Sequence, residues 1–251
     1  MLYFNEFENL TYKFGDEVDT VIFQNLSTYV DIIDEVKNNI TFLNVHTIQE
    51  GFRPDQVSFQ LYGTPLNYWT FYLLNDDIRE QGWPLIRTEL DAYIKKIFPN
   101  TTLTTRDADL ANKFKVGQTL TGGTTSLSGK IIRRNIDLGQ IIVEGDIAFS
   151  IGGELFSSTN SDGDVETLTA VSSSKEYQSA SHYVDGSGLI VDIDPTVGPG
   201  GLLTEKTHED VYFTVNENLR QIKIIKPSQV ANVISSFKRA FSILDNEMKN
   251  N

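Results

Sequence analysis

The chain contains no cysteine. That excludes disulfides and thiolate metal centres, and it fits a protein assembled in a reducing cytoplasm. Histidine is scarce, with only His46, His182 and His208. No two of them stand at the His-x-x-x-His spacing that sets two metal ligands on one helix face, so they read as structural or exposed. No Gly-x-Ser-x-Gly elbow, phosphate-binding Gly-x-x-x-x-Gly-Lys or dinucleotide Gly-x-Gly-x-x-Gly occurs. No apolar run approaches the roughly 20 residues that span a bilayer. The first residues, Met1-Leu-Tyr-Phe-Asn-Glu-Phe-Glu8, lack the basic and apolar regions of a signal peptide. Positive charge is also short: 21 Lys and Arg stand against 34 Asp and Glu, for a net charge of -13. Such a chain repels phosphate backbones, which argues against nucleic acid as a general partner.

What is present changes character along the chain. Residues 1 to 24 form short extended segments at Leu2 to Phe4, Leu10 to Phe14 and Val18 to Phe23. They alternate too little to fold alone and read as an arm. Val30, Ile33, Val36 and Ile40 stand near helical spacing and predict a short helix over Tyr29 to Ile40. Val45 to Gly51 alternates and predicts a strand entering a turn. Pro54 and Asp55 open a helix whose buried side carries Val57 and Leu61, and Gly63 ends it. A second helix, Leu66 to Asn75, is dense in aromatics. Trp83 to Ile86 reads as extended. Thr88 to Phe98 reads as an amphipathic helix with Thr88 as N-cap and a stripe of Leu90, Tyr93, Ile94 and Ile97.

From Pro99 the composition shifts to Gly, Ser, Thr, Asp and β-branched residues, an all-β pattern. Candidate strands are Phe114 to Leu120, Gly129 to Asn135, Gln140 to Glu144, Glu154 to Ser157 and Glu166 to Ser172. Phe114-Lys-Val-Gly-Gln-Thr-Leu120 is echoed by Phe149-Ser-Ile-Gly-Gly-Glu-Leu155. Two copies fit a small pseudo-symmetric barrel or sandwich, not a solenoid. The Ser/Gly-rich tips at 121 to 128 and 157 to 164 read as loops. Val211 to Asn216 and Arg220 to Lys226 then read as two strands around a hairpin turn at Asn216 to Leu219. Pro227 opens a last helix with Val230, Val233, Ile234, Phe237, Phe241 and Leu244 on one apolar stripe.

Carboxylates gather in places without suggesting chemistry. Asn160, Asp162, Asp164 and Glu166 alternate like part of a calcium loop but lack its sixth-position glycine and closing glutamate. They read as a solvated turn, as does Asp185-Gly-Ser-Gly188. Glu50, Asp55, Asp76, Asp77 and Glu80 surround the aromatic stretch, but a glycosidase needs two carboxylates facing each other across a cleft. Tyr62, Tyr68, Trp69, Phe71 and Tyr72 have two uses, stacking on sugar rings or filling a small core or interface.

These residues carry two resemblances. Val57, the Tyr62-Gly63-Thr64-Pro65 turn, Trp69, Phe71 and Asn75, thirteen residues after Tyr62, resemble the helical centre of a LysM module. In place of that module's usual Gly-Asp-Thr opening stands Gly51-Phe-Arg-Pro-Asp55. Taken more widely, Arg53-Pro-Asp55, Tyr62-Gly63, Tyr68-Trp69, Asn75-Asp76, Trp83-Pro84 and the closing Asn218-x-Arg220-x-Ile222-Lys-Ile-Ile-Lys-Pro227 resemble the baseplate wedge family of T4-like contractile-tailed phages (gene product 53). That resemblance covers roughly the first hundred and the last forty residues. It implies a virion structural protein of the tail baseplate, assembled in the host cytoplasm, that joins neighbouring wedge subunits around the central hub.

The expectation is an α+β protein in four parts. An N-terminal arm and short helix occupy 1–43 and a LysM-like module 44–99. A β-rich insert, a small barrel or sandwich, occupies 100–208, and a β-hairpin with a C-terminal amphipathic helix 209–251. The expected function is structural and non-enzymatic, with no catalytic, cofactor or metal residues. Expected partners are other wedge and hub-proximal tail proteins, without nucleic acid or membrane. Peptidoglycan binding through the LysM-like aromatics is the alternative. Expected interaction residues are Arg53, Asp55, Tyr62, Tyr68, Trp69, Tyr72, Asn75 and Trp83 in the module. Val230, Ile234, Phe237 and Phe241 are expected on the last helix.

Overall fold

The computed structural model describes residues 9–12, 15, 21–24 and 42–235. The chain divides into two compact units, residues 1–86 with 216–251 and residues 87–215. The first is therefore discontinuous in sequence and the second is inserted within it.

In the first unit, β1 (Asn9–Tyr12) and β2 (Val21–Gln24) pair antiparallel. The expected segment Leu2 to Phe4 and the expected helix over Tyr29 to Ile40 lie outside the described residues. Strand β3 (Leu43–Thr47) leads to α1 (Pro54–Tyr62). Pro54 stands at the first helical position, where its missing N–H costs nothing, and the Gln56 side chain accepts the Arg53 N–H at 2.9 Å. Gly63 ends the helix at φ +71°, its N–H donating to Phe59 O at 2.9 Å. A side chain there would meet the left-handed penalty. A 3-10 turn, Pro65–Tyr68, leads into α2 (Trp69–Leu74) and then α3 (Asp76–Gln81). The expected second helix is thus broken by a change of helical type and ends at Asn75, after which α3 opens as a separate helix.

In the second unit, α4 (Arg87–Ile97) begins one residue before the expected N-cap, so Thr88 lies inside the helix. Leu90 and Ile94 are its buried residues, while Tyr93 and Ile97 are exposed. Six strands then close a barrel. They are β4 (Thr101–Thr105), β5 (Thr119–Gly122), β6 (Ser128–Asn135), β7 (Gln140–Val143), β8 (Leu155–Thr159) and β9 (Val165–Lys175). The order around the ring is β4-β7-β6-β5-β8-β9. Exchanging β5 with β8, β6 with β9 and β7 with β4 maps this ring onto itself. Both ladders to the third strand carry a register shift, at Ile131/Arg133 and at Thr104/Thr105. Leu120 and Phe156 are both fully buried under the exchange, and Gly117 and Gly153 both have positive φ. This equivalence lies one residue away from the echo read in the sequence. Leu103, Leu110, Phe114, Leu120, Ile131, Ile141, Val143, Phe149, Phe156 and Leu168 fill the interior. The expected loop tips are shorter than the sequence suggested, because 121–122 and 157–159 belong to strands.

Three further strands, β10 (Ala180–Val184), β11 (Ile190–Val191) and β12 (Thr204–Thr207), form a sheet of order β11-β10-β12. The expected hairpin over 211–226 is overturned. His208–Leu219 is a helix, α5, and β13 (Gln221–Ile225) pairs antiparallel with β3 instead. The physical reason is a reciprocal cap. Thr207 Oγ1 accepts the Asp210 N–H at 3.1 Å, and Asp210 Oδ2 accepts the Thr207 N–H at 3.0 Å. Glu209 and Asp210 add negative charge at the positive end of the helix dipole. Those end effects outweigh the strand propensity of Val211, Tyr212 and Phe213. Residues 230–235 are helical, and the rest of the expected last helix lies outside the described residues.

Candidate interaction surface

The strand–helix–helix–strand arrangement of β3, α1, α2 and β13 gathers most of the expected interaction residues. Val57, Phe71, Ile78, Ile222 and Ile224 form its core with Ile48 and Leu219, and Tyr62, Tyr68, Tyr72 and Trp83 pack against it. Trp69 is only 1% exposed. The Tyr62 and Phe71 rings stack at 5.9 Å, Phe71 and Trp83 lie 6.1 Å apart, and Tyr72 lies 6.0 Å from Trp83. Tyr68 meets Tyr72 edge-on at 6.4 Å. This is an aromatic core with its rings turned on one another, a geometry that stabilises the unit beyond burial alone. A buried Trp69 leaves no face for a sugar ring.

Polar atoms of the same residues complete the backbone. Asn75 Nδ2 donates to Lys223 O at 2.9 Å, and Asn75 Oδ1 accepts the Lys223 N–H at 2.8 Å. The Tyr62 hydroxyl donates to Ile225 O at 3.1 Å. Lys223 and Ile225 are alternate residues, so both bonds reach the same edge of β13. The side chains supply pairing that a third strand would otherwise give. Burial pushes the Tyr62 phenol up to about 12, although the Thr70 and Ile225 contacts work the other way. Trp83 Nε1 donates to Phe52 O at 2.7 Å. Of the expected module residues, Tyr62, Trp69, Asn75 and Trp83 therefore hold the unit together.

Asn216, read in the sequence as a turn residue, does the same from α5. Its Oδ1 accepts the Leu85 N–H at 2.8 Å and its Nδ2 donates to Leu85 O at 3.0 Å. Sequence reasoning missed it because a turn Asn and a buried helical Asn look alike until the helix is known. The three waymarks Tyr62, Asn75 and Asn216 all serve main-chain groups.

The outward face carries different residues. Arg53 and Asp55 form a two-bond ion pair at 3.1 and 2.8 Å, and with Pro54 and Tyr68 they line a shallow hollow. The Arg53 guanidinium holds the Asp55 carboxyl below its ordinary value. Phe59 is 62% exposed. The sequence contained this signal: Val57 and Leu61 mark the inner side of α1, so Phe59, midway between them, turns outward. Val45 on β3 and Val21 and Ile22 on β2 are also exposed. On the last helix, Val230 packs against the cluster of Leu74, Ile225 and Val233, and Ile234 is half-buried. Phe237 and Phe241 lie outside the described residues.

Among the described residues no group of three or more His, Asp or Glu could hold a metal ion, and no helix is long and apolar enough to cross a membrane. His46 and His208 are both lowered by burial, His208 in a stack on Phe98 at 4.4 Å. Two of the acidic stretches flagged in the sequence are turns. Asn160 Oδ1 accepts the N–H groups of Asp162 and Asp164, and Asp185 Oδ1 accepts those of Ser187 and Leu189.

Residues 2–105 match the family model of base plate wedge protein 53. No curated protein matches the chain. The wedge-family resemblance read in the sequence therefore stands over those residues, and the closing strand β13 and most of the barrel lie beyond the matched span.

Proposed function

We propose that this chain, whose residues 2–105 carry the base plate wedge protein 53 pattern, is a structural subunit of a phage tail baseplate. The family match is the observation that carries the reading. In this reading the chain joins neighbouring wedge subunits around the central hub, and its strand–helix–helix–strand unit is a LysM-like module used for docking protein. The aromatic rings of that unit face its own core, which favours a docking role over sugar stacking. Docking then falls to outward residues: Phe59, the Arg53–Asp55 pair, and the exposed Val21 and Ile22. Large exposed aromatics and arginines are the usual anchors of protein interfaces. The protein would be assembled in the host cytoplasm and reside in the virion.

Electron microscopy of the intact particle tests the reading directly, since a wedge subunit must appear in the baseplate in contact with its neighbours. Truncation of residues 1–24 sharpens it. The truncated chain should keep its folded core and fail to enter baseplates. Incorporation at the wild-type level would remove the N-terminal arm from the docking surface. Turbidity clearing on purified cell walls should stay flat, and lysis by the pure protein would overturn the non-enzymatic reading.

A further inference from the structure

Of the five most exposed large apolar side chains among the described residues, four fall between Leu189 and Leu202. They are Leu189 at 67%, Ile190 at 69%, Val197 at 77% and Leu202 at 92%. Single exposed apolar residues are ordinary, so what matters is whether these stand together. The β11-β10-β12 sheet brings them to one end. Val184, the last residue of β10, pairs with Ile190 on one side and with Thr204 on the other. Leu189 and Leu202 come just before those partners, on strands about 10 Å apart. Val197 lies on the connection between the same two strands.

The turns that carry these side chains are braced. Asp185 Oδ1 accepts the Leu189 N–H at 3.0 Å and the Ser187 hydroxyl at 2.6 Å. Asp194 Oδ1 accepts the Thr196 N–H at 2.9 Å and its hydroxyl at 2.6 Å, and Asp194 O accepts the Val197 N–H at 3.1 Å. Arg106, just past β4, donates to Pro195 O at 3.1 Å. Its guanidinium lies so close to Gly198 that an added Cβ would stand 2.8 Å from it. Each turn thus sets an apolar side chain into water on a fixed backbone. A surface already ordered loses little entropy on binding.

The rim around these side chains has one sign. Residues 185–205 hold Asp185, Asp192, Asp194 and Glu205 and no Lys or Arg. Lys206 alternates with Glu205 along β12 and so faces the other side of the sheet. Arg106 is engaged with the Pro195 carbonyl. A second copy would set these carboxylates against their own kind, on a chain of net charge -13. An anionic lipid surface would be repelled in the same way.

We propose that this end of the β11-β10-β12 sheet docks a cationic segment of a partner protein. The partner's apolar side chains cover the four exposed ones, and its Lys or Arg side chains meet the acidic rim. The surface lies beyond residues 2–105 and its binding is measured on the isolated chain, so it stands apart from the baseplate reading.

The test is an amide NMR titration of the full chain with a short amphipathic peptide of leucine and lysine. Two counterparts carry serine for leucine and glutamate for lysine. The leucine–lysine peptide should give saturable shifts centred on Leu189, Ile190, Val197 and Leu202, weakened several-fold by raised salt. Leu202→Ser should bind it about tenfold more weakly, and Asp192→Asn about threefold more weakly. Both variants should melt as the wild type does, because both positions are exposed. Absence of saturable shifts with the leucine–lysine peptide would overturn the proposal. Equal binding of the serine peptide would overturn it by reducing the effect to charge, and equal binding of the glutamate peptide would remove the acidic rim from it. Unchanged affinity in Leu202→Ser would overturn the assigned surface. A dimer of the chain alone that Leu202→Ser dissolves in sedimentation would overturn the partner in favour of a second copy. Flotation with phosphatidylglycerol vesicles that Leu202→Ser abolishes would overturn it in favour of a lipid surface.

Discussion

The two units solve one problem in different ways. Both contain β-strands whose edges must be paired or covered. The inserted unit closes six of its nine strands into a ring, which removes the edges of those six. The discontinuous unit has β3 and β13 as a two-stranded sheet, and such a sheet is marginal alone. It compensates with side chains: Asn75 and Tyr62 cover the edge of β13, and Asn216 pairs with the Leu85 backbone. Five partly buried aromatics, Phe52, Tyr62, Tyr68, Tyr72 and Trp83, pack around its aliphatic core and Phe71, whereas the barrel interior holds its three phenylalanines fully inside. In the barrel unit, polar side chains are free to fasten loops. The buried Glu154 carboxylate accepts from Thr124 N, Thr125 N, Thr125 Oγ1 and Ser150 N, and so ties down the tip between β5 and β6. Where the fold supplies few strands, side chains act as backbone. Where it supplies a closed ring, they act on loops.

The strongest way to break this comparison is Trp69→Ala. Loss of a fully buried large aromatic costs about 3–5 kcal/mol. Hydrogen exchange should show the β3–β13 region losing protection while barrel amides keep theirs. Loss of protection in both would mean that the units do not fold separately.

Next in size is Glu154→Gln, which puts an amide donor in front of existing donors and should cost about 2 kcal/mol at neutral pH. Burial alone would raise the Glu154 carboxyl, but the Thr125 hydroxyl and the amides of Thr125, Thr124 and Ser150 together hold it below its ordinary value. A depressed carboxyl stabilises the fold above the unfolded value near about 4.3, and that contribution is lost as pH falls through the folded value. Thermal melts of wild type and variant should therefore draw together as pH falls below the unfolded value and meet once it is below the lowered folded value of Glu154. A gap that persists at acid pH would show that the charge of Glu154 is not what fastens the loop.

Asn75→Leu should cost about 1–2 kcal/mol, because Lys223 loses a partner for both its N–H and its carbonyl at a half-buried edge. Denaturant unfolding measures this. An Asp at the same position should recover part of the loss, since it restores only the acceptor. A neutral Asn75→Leu would mean that water covers the strand edge as well as the amide does.

The smallest effect expected is from Gly63→Ala, about 1 kcal/mol for forcing a side chain into the left-handed region. An added Cβ meets nothing within 4 Å, so the cost is conformational alone. A larger loss in the melt would point to a packing role that the geometry does not contain.

These particulars also show how much could be read before folding. The helix over Pro54–Tyr62, its stop at Gly63 and the strands β6, β7 and β9 were legible because each depends on local chemistry: a proline at the start, a glycine at the end, alternation within. The match to base plate wedge protein 53 was legible in part, since most of the residues that carried the resemblance lie at 53–84, inside the matched span, while the closing stretch Asn218 to Pro227 lies outside it. The helix over His208–Leu219 was not. Its alternating Val211, Phe213 and Val215 imitate a strand, and its start depends on the Thr207–Asp210 cap. The partner of β13 was also hidden, because Thr47 and Gln221 lie 174 residues apart in sequence. Nor could the sequence tell that Tyr62, Asn75 and Trp83 are fasteners, because that role requires the position of a distant backbone.

The long separation between β3 and β13 has a consequence for synthesis. A ribosome delivers β3, α1 and α2 first, then the whole inserted unit, and only then the strand that completes the sheet. At about 5–20 residues per second, the aromatic half-core waits roughly 8–30 seconds for its closing strand. During that interval Phe71, Trp69 and the open edge of β3 are unprotected, while the barrel, contiguous in sequence, is free to fold. The newborn chain is therefore most prone to aggregate or to recruit a chaperone between the emergence of Leu74 and that of Ile225.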